Sequence, residues 1–229
     1  AQISRADIYT TVGRPKRALE IVLEVRANPA RFNLDVTNKF ELTQCEAGAL
    51  FRDDRKDEAT ALLAEALKAP VVPVLFRVAA SQLYLGNGLH AEALAQLERV
   101  LVEMPDDLPS LINRGVACMQ LNRDSEAITS LTRALELEPK SSIARLNRGI
   151  AYNRTKQHDA AIEDLEMLYK ETPNAYQVCF SLAEAFAGKG DTIRARELYT
   201  RCLKFIPPGT PDFTEVTRRL AELNKSPKK

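Results

Sequence analysis

The chain has 229 residues, of which 45% are hydrophobic, so it can bury a sizeable core and is not expected to be disordered. Its 32 Lys and Arg residues and 31 Asp and Glu residues give a net charge of +1, which argues against nucleic-acid binding. No stretch approaches the roughly 18 apolar residues that cross a bilayer, and the first ten residues do not resemble a signal peptide. We therefore expect no membrane insertion and a cytoplasmic protein, or an exported one if Ala1 is a processed N-terminus.

The four cysteines, Cys45, Cys118, Cys179 and Cys202, form no CxxC pair and have no regular spacing with histidine. This spacing indicates neither a zinc site nor a redox motif. A chain of this length also does not need disulfides to hold its core together. The cysteines are therefore predicted to be small core residues.

Alanine recurs with a period of 34 residues, at Ala59, Ala93, Ala127, Ala161 and Ala195. A small residue stands twelve positions before each alanine, namely Ala47, Ser81, Gly115, Gly149 and Ala183, and a proline follows four of the five alanines by twelve positions. Small residues let two helices approach closely, and proline ends a helix. Each 34-residue unit is therefore predicted to be a helix, a tight turn and a second helix.

This pattern resembles the tetratricopeptide repeat (TPR) family, most closely in the segments NRGVACMQLNRDSEAITSLTRALELEP and NRGIAYNRTKQHDAAIEDLEMLYKETP. The resemblance extends over almost the whole chain. The tryptophan found early in the family's repeat is absent from all units. The resemblance implies an all-α fold, a right-handed superhelical solenoid of about six helical hairpins with a C-terminal capping helix.

The repeat register predicts the boundaries of these parts. The hairpins are expected at 1–32, 33–73, 74–107, 108–141, 142–175 and 176–209, followed by a capping helix at 210–224 and a disordered basic tail at 225–229. Seven extra residues lengthen the first helix of the second hairpin, with Asn33 or Asp35 as its cap. Thr210 is the expected cap of the last helix, with Pro211 in its first turn. Because the first residue already lies inside a repeat, we expect the array to continue upstream.

The sequence predicts no enzyme, no catalytic residue, no metal site and no cofactor. The two histidines, His90 and His158, occupy equivalent turns two units apart, and such positions are too distant in a helical stack to share a metal ion. No phosphate-binding, nucleophile-elbow or zinc-protease motif is present in the sequence.

In the TPR family the first helix of each hairpin lines a concave face, and the register identifies the residues that would lie there. The predicted partner-binding residues are Val78, Gln82, Ile112, Asn113, Val116, Met119, Leu146, Asn147, Ile150 and Phe180. The apolar members either form a binding groove, in which Ile112, Leu146 and Ile150 are exposed, or simply pack against neighbouring helices. Asn113 and Asn147 could hydrogen-bond the backbone of a ligand.

The resulting functional hypothesis is a protein-interaction scaffold, or adaptor, that binds an amphipathic helix or an apolar extended segment of a protein or peptide. The alternative is a non-catalytic arm that recruits substrates to a larger enzyme. An RNA-binding array is disfavoured by the neutral charge, and self-association stays open. Some TPR proteins clamp the terminal carboxylate of chaperones, but of the five corresponding positions here only Asn113 matches.

Overall fold

The computed structural model describes residues 2–32 and 35–225, with the side chains of residues 36 and 225 excepted. Within these ranges the chain forms thirteen α-helices and no strand, which confirms the predicted all-α fold class. The helices are α1 (Gln2–Thr11), α2 (Pro15–Ala27), α3 (Val36–Arg52), α4 (Lys56–Ala66), α5 (Val74–Gly86), α6 (His90–Glu103), α7 (Leu108–Gln120), α8 (Asp124–Leu137), α9 (Ser142–Arg154), α10 (His158–Glu171), α11 (Tyr176–Lys189), α12 (Thr192–Cys202) and α13 (Pro211–Lys225).

The chain divides into two compact units, Ala1–Asn113 and Arg114–Lys229, and the boundary falls within α7. In the first unit α1 packs with α2, α3 with α4 and α5 with α6, and α3 also packs against both helices of the first hairpin. In the second unit α9 packs with α10 and α11 with α12, while α8 packs on α9, α10 on α11 and α13 on α12. Each unit is thus built from helical hairpins stacked side by side.

Small residues allow the close helix contacts inside the hairpins. All five alanines of the 34-residue series are fully buried. A Cβ atom added to Gly115 would lie 2.6 Å from Cγ of Leu131, and one added to Gly149 would lie 2.7 Å from Cγ of Leu165. The leucine of the second helix therefore fills the space that a side chain on the first helix would need. This contact confirms the physical reason inferred for the repeated small residues.

The turn inside each hairpin reverses the chain in the same way six times within the described ranges. One turn residue has a positive φ, between 59° and 89°, at Gly13, Asp54, Gly88, Asn122, Lys156 and Gly190. The next residue donates its backbone N–H to a carbonyl five positions earlier, as Arg123 does to Cys118 (2.8 Å) and Gln157 to Tyr152 (2.8 Å). This is the helix-ending arrangement that needs a left-handed residue.

The first helix of the second hairpin is longer than its counterparts. Helix α3 has 17 residues, whereas α5, α7 and α9 have 13 each. The backbone N–H of Asn38 donates to Oδ1 of Asp35 at 2.7 Å, so Asp35 is the N-cap. The other candidate cap, Asn33, lies outside the described residues. In the added turn the ring of Phe40 packs against Phe76, with 4.7 Å between ring centroids.

Helix α13 covers the last hairpin. The N–H of Phe213 donates to the hydroxyl oxygen of Thr210 at 3.2 Å, which caps the helix. Val216 is fully buried, and Phe213, Leu220 and Leu223 are partly buried against the core of α10, α11 and α12. Of the predicted tail at 225–229, Lys225 ends α13 and residues 226–229 lie outside the described part of the chain.

All four cysteines are buried and free, as predicted. None of the helices in the described ranges is long and apolar enough to cross a membrane.

Candidate functional site

In the first unit a depression of about 420 Å³ lies against the first helices of three hairpins, α1, α3 and α5. It is lined by Asp7, Thr10, Thr11, Gln44, Cys45, Gly48, Phe51, Arg52, Gln82, Leu83, Gly86 and Asn87. Gln82 is the one predicted partner-binding residue in this lining. Most of the lining side chains are polar, and their amide, hydroxyl and charged groups suit the hydrogen-bonding groups of a polypeptide.

In the second unit two adjoining depressions share Asn153 and Glu184. The smaller, of about 280 Å³, is lined by Ile150, Asn153, Arg154, Phe180, Ser181 and Glu184. The larger, of about 350 Å³, is lined by Asn153, His158, Glu184, Ala187, Gly188, Tyr199, Arg219, Glu222 and Leu223. We call these two depressions together the second-unit groove. Ile150 and Phe180, both predicted, form its apolar end, and residues of α13 form its opposite end.

Glu184 is the electrostatic centre of the second-unit groove. The hydroxyl of Tyr199 donates to Oε1 of Glu184, and Nε of Arg219 lies 3.3 Å from the same oxygen. Nε of Arg219 also lies 2.9 Å from Oε1 of Glu215. Burial, reinforced by the hydrogen bond to Glu184, raises the pKa of Tyr199, so its phenol stays protonated and keeps donating. The groove therefore holds a carboxylate and a guanidinium in fixed positions.

Phe180 is held on two sides by aromatic rings. Its ring centroid lies 5.8 Å from that of Tyr176 and 5.9 Å from that of Tyr199, the latter in an edge-to-face arrangement. The side chain is half-buried. Because its neighbours fix the ring, Phe180 offers an apolar surface that loses little conformational freedom when a ligand binds.

Two polar atoms beside the groove are buried and lack a hydrogen-bond partner among the described residues, Oδ1 of Asn153 and Nδ1 of His158. The amide nitrogen of Asn153 is occupied, since it donates to the carbonyl of Ser181 at 2.8 Å. The His158 ring lies over Gly188, where an added Cβ would be 2.2 Å from Cε1. Unpaired buried polar atoms are unfavourable, so a ligand group that paired with them would be stabilised.

The remaining predicted partner-binding residues lie elsewhere. Val78, Ile112, Asn113, Val116, Leu146 and Asn147 are half-buried. Met119 is only 7% exposed, which favours for this residue the alternative of packing against neighbouring helices. Ile112, Leu146 and Ile150 were expected to be exposed but are half-buried, and Leu146 packs against the core of the last hairpins.

Sequence reasoning missed Arg219, Glu222 and Leu223. They lie on α13, which does not follow the 34-residue register, so no periodicity could align them with the groove. Glu184 follows the 34-residue register, but it is charged, so it is not among the predicted partner-binding residues, which were chosen mainly as an apolar series. In the described ranges no group of three or more His, Cys, Asp or Glu side chains could hold a metal ion.

The model of the family described as tetratricopeptide repeat matches the chain twice, at residues 78–131 and 113–176. The chain is a tetratricopeptide repeat protein. The matched TPR segments run from α5 to α10 and include the two segments whose sequences resemble the repeat most closely. A comparison with curated proteins gave no match.

Solved structures share the fold of this TPR protein. A TPR protein from Parabacteroides merdae ATCC 43184 is 20% identical, with a TM-score of 0.78 over 97% of this chain and 85% of that chain. YrrB, described as a TPR protein with an unusual peptide-binding site, is 16% identical, with a TM-score of 0.64 over 85% and 97%. MamA from residue 41 onward, from Desulfovibrio magneticus RS-1, is 22% identical, with a TM-score of 0.60 over 68% and 86%.

Proposed function

We propose that this TPR protein is an interaction scaffold and that the second-unit groove binds an extended or helical segment of a partner protein. The observation that carries the proposal is the combination, in one groove, of an apolar end at Ile150 and Phe180 with the unpaired Oδ1 of Asn153. YrrB, which shares the fold, is described as having a peptide-binding site, and this supports peptide binding as the general activity.

The groove has the parts that recognition of a polypeptide requires. An apolar side chain of the ligand would contact Ile150 and Phe180, which removes apolar surface from water. A backbone N–H of the ligand would pair with Oδ1 of Asn153 after a small rotation of that side chain. Glu184 and Arg219 pair with each other, and their remaining acceptor and donor groups would fix the direction of the segment by hydrogen bonds. The apolar contacts would supply affinity, and the pair of Glu184 and Arg219 would supply specificity.

The first-unit depression would bind a polypeptide by different chemistry. Its lining includes the amides of Gln44, Gln82 and Asn87 and is largely polar. Amides pair with both N–H and C=O groups, so they hold an extended backbone without demanding particular side chains. We therefore assign sequence selectivity to the second-unit groove.

A peptide library displayed on phage and selected on the full chain tests the proposal. Peptides that bind should be enriched in apolar residues, and Ile150→Asp should weaken their binding at least tenfold, as expected for a residue inside an interface. Ile193→Asp is the matched control, because Ile193 is an exposed isoleucine of the same unit outside the groove. Thermal melting of both variants checks that they fold.

Two results would contradict the proposal. One is a folded Ile150→Asp protein that binds the selected peptides as the parent does. The other is an equal loss of binding in Ile193→Asp, which would show that added negative charge, and not the groove, controls affinity. Either result would move the binding site away from α9, α11 and α13.

A further inference from the structure

The last hairpin brings two cysteines together, Cys179 of α11 and Cys202 of α12. Both are fully buried in the same hydrophobic cluster. The thiol of Cys202 donates a hydrogen bond to the sulfur of Cys179, and the thiol of Cys179 donates to the carbonyl oxygen of Leu198 at 3.4 Å. The two sulfur atoms therefore interact directly inside the core of the second unit.

The helix geometry explains why the two thiols meet. Leu198 is four residues before Cys202 on α12, and side chains on a helix lean toward its N-terminus. The side chain of Cys202 therefore lies over the turn that contains the Leu198 carbonyl, and the sulfur of Cys179 reaches the same carbonyl from α11. A disulfide requires such convergence, because its sulfur atoms lie about 2 Å apart.

The repeat register shows that these two positions face each other in another hairpin as well. Four 34-residue periods earlier they hold Thr43 and Ala66, and both of these residues line one depression of about 400 Å³. Cysteine occupies both positions only in the last hairpin, since Cys45 and Cys118 stand elsewhere in the repeat. The pairing is thus specific to Cys179 and Cys202.

The surroundings of the pair give its two thiols different reactivity. The hydrogen bond from Cys202 lowers the pKa of Cys179, and the positive charge of Arg201 lowers it further, while burial acts in the opposite direction. The same hydrogen bond, together with burial, raises the pKa of Cys202. Because the thiolate is the nucleophile, Cys179 is the sulfur that reacts first and Cys202 the one that follows.

We propose that Cys179 and Cys202 form a modification site at which a small peroxide produces an intramolecular disulfide. The Cys179 thiolate attacks one oxygen of hydrogen peroxide, the O–O bond breaks and hydroxide leaves, so that Cys179 becomes a sulfenic acid. The sulfur of Cys202 then attacks the sulfur of Cys179, the S–O bond breaks, and water leaves with the Cys202 proton. The proton lost from Cys179 neutralises the hydroxide, so two thiols and one peroxide give one disulfide and two water molecules.

The disulfide would join α11 to α12 and so restrict the unfolded chain more than the folded one. The second unit should therefore become more stable when the pair is oxidised and return to its original stability when it is reduced. This site does not depend on peptide binding in the second-unit groove, and its test uses no peptide.

Treatment of the folded full chain with hydrogen peroxide, followed by mass spectrometry, tests the site. The parent should lose two hydrogens, about 2 Da, and a peptide map should link the segments that contain Cys179 and Cys202. The double variant Cys45→Ser, Cys118→Ser is the matched control and should form the same disulfide. Oxidation should raise the melting temperature of both proteins by about 5 °C or more, and dithiothreitol should reverse the change.

Cys179→Ala and Cys202→Ala should each abolish the loss of mass, and Cys202→Ala should instead gain oxygen at Cys179. Melting of the reduced variants checks that they fold, and the parent and the double variant decide the question if they do not. The proposal is overturned if the parent keeps its mass, if the link involves Cys45 or Cys118, or if a folded alanine variant still loses two hydrogens.

Discussion

Arg148 of α9 holds Asp164 of α10 by two parallel contacts, from Nε to Oδ2 at 2.7 Å and from Nη2 to Oδ1 at 2.8 Å. Asp164 is buried and Arg148 is half-buried. The hydrogen bond to Asp164 raises the pKa of Arg148, so the guanidinium keeps its charge. Two-point pairing fixes both the distance and the orientation of the groups, and it ties the two helices of this hairpin together.

Replacement of Asp164 by Ala should lower the free energy of unfolding by about 2 to 4 kcal/mol, because a partly buried cation would lose its partner. Urea unfolding followed by circular dichroism measures this change. Glu136→Ala is the control, since Glu136 pairs with Arg133 at 2.8 Å on the exposed surface of the same unit. The control should change stability by less than about 1 kcal/mol. Equal effects of the two substitutions would show that the buried pair has no special role.

The same substitution should have opposite effects at two glycines. Gly149→Ala would force Leu165 to move, because its new Cβ would lie 2.7 Å from Cγ, and it should destabilise the protein by about 1 to 2 kcal/mol. Gly86→Ala meets no atom within 4 Å at the end of α5, and it should stabilise the protein by up to about 1 kcal/mol. Melting temperatures of both variants provide the comparison. A neutral or stabilising Gly149→Ala would disprove the close contact between α9 and α10.

Lys156 occupies a turn position with φ of 61°, which a residue with a Cβ adopts only at a cost. Lys156→Gly should therefore stabilise the protein by about 1 kcal/mol. The reverse change at the equivalent turn, Gly190→Lys, should destabilise it by a similar amount, because Gly190 has φ of 89°. Chemical denaturation of the two single variants tests the pair. Shifts in the same direction would contradict the left-handed assignment.

Burial should protect the cysteines from thiol reagents. Burial, with smaller contributions from Asp7 and Glu41, raises the pKa of Cys45 to about 12. The thiolate is the reactive form of a cysteine. With this pKa, the fraction of Cys45 present as thiolate at pH 8 would be on the order of one part in ten thousand. A colorimetric thiol reagent should react slowly with the folded chain at pH 8 and rapidly with all four cysteines in denaturant. If the folded chain reacts rapidly with the reagent, and the Cys45→Ser variant does not, this expectation is contradicted.

The sequence by itself determined the helical hairpins and their internal contacts. Close helix packing needs small residues at fixed intervals. The positions of Gly149 and Ala161 in the sequence therefore mark the places where two helices are in contact in the structure. The left-handed turn residues follow this logic only where the turn holds glycine, as at Gly88 and Gly190. Residue type does not identify Lys156, which adopts the same conformation at a cost. These constraints act within one hairpin. Because they recur in each 34-residue repeat, they can be recognised in the sequence.

The extent to which neighbouring helices cover each surface was decided only in the tertiary structure. Periodicity placed Met119 and Ile150 on the same helix face, yet Met119 is buried and Ile150 lines a groove. The contacts of Glu184 with Tyr199 and Arg219 depend on how α13 docks, and α13 lies outside the repeat register.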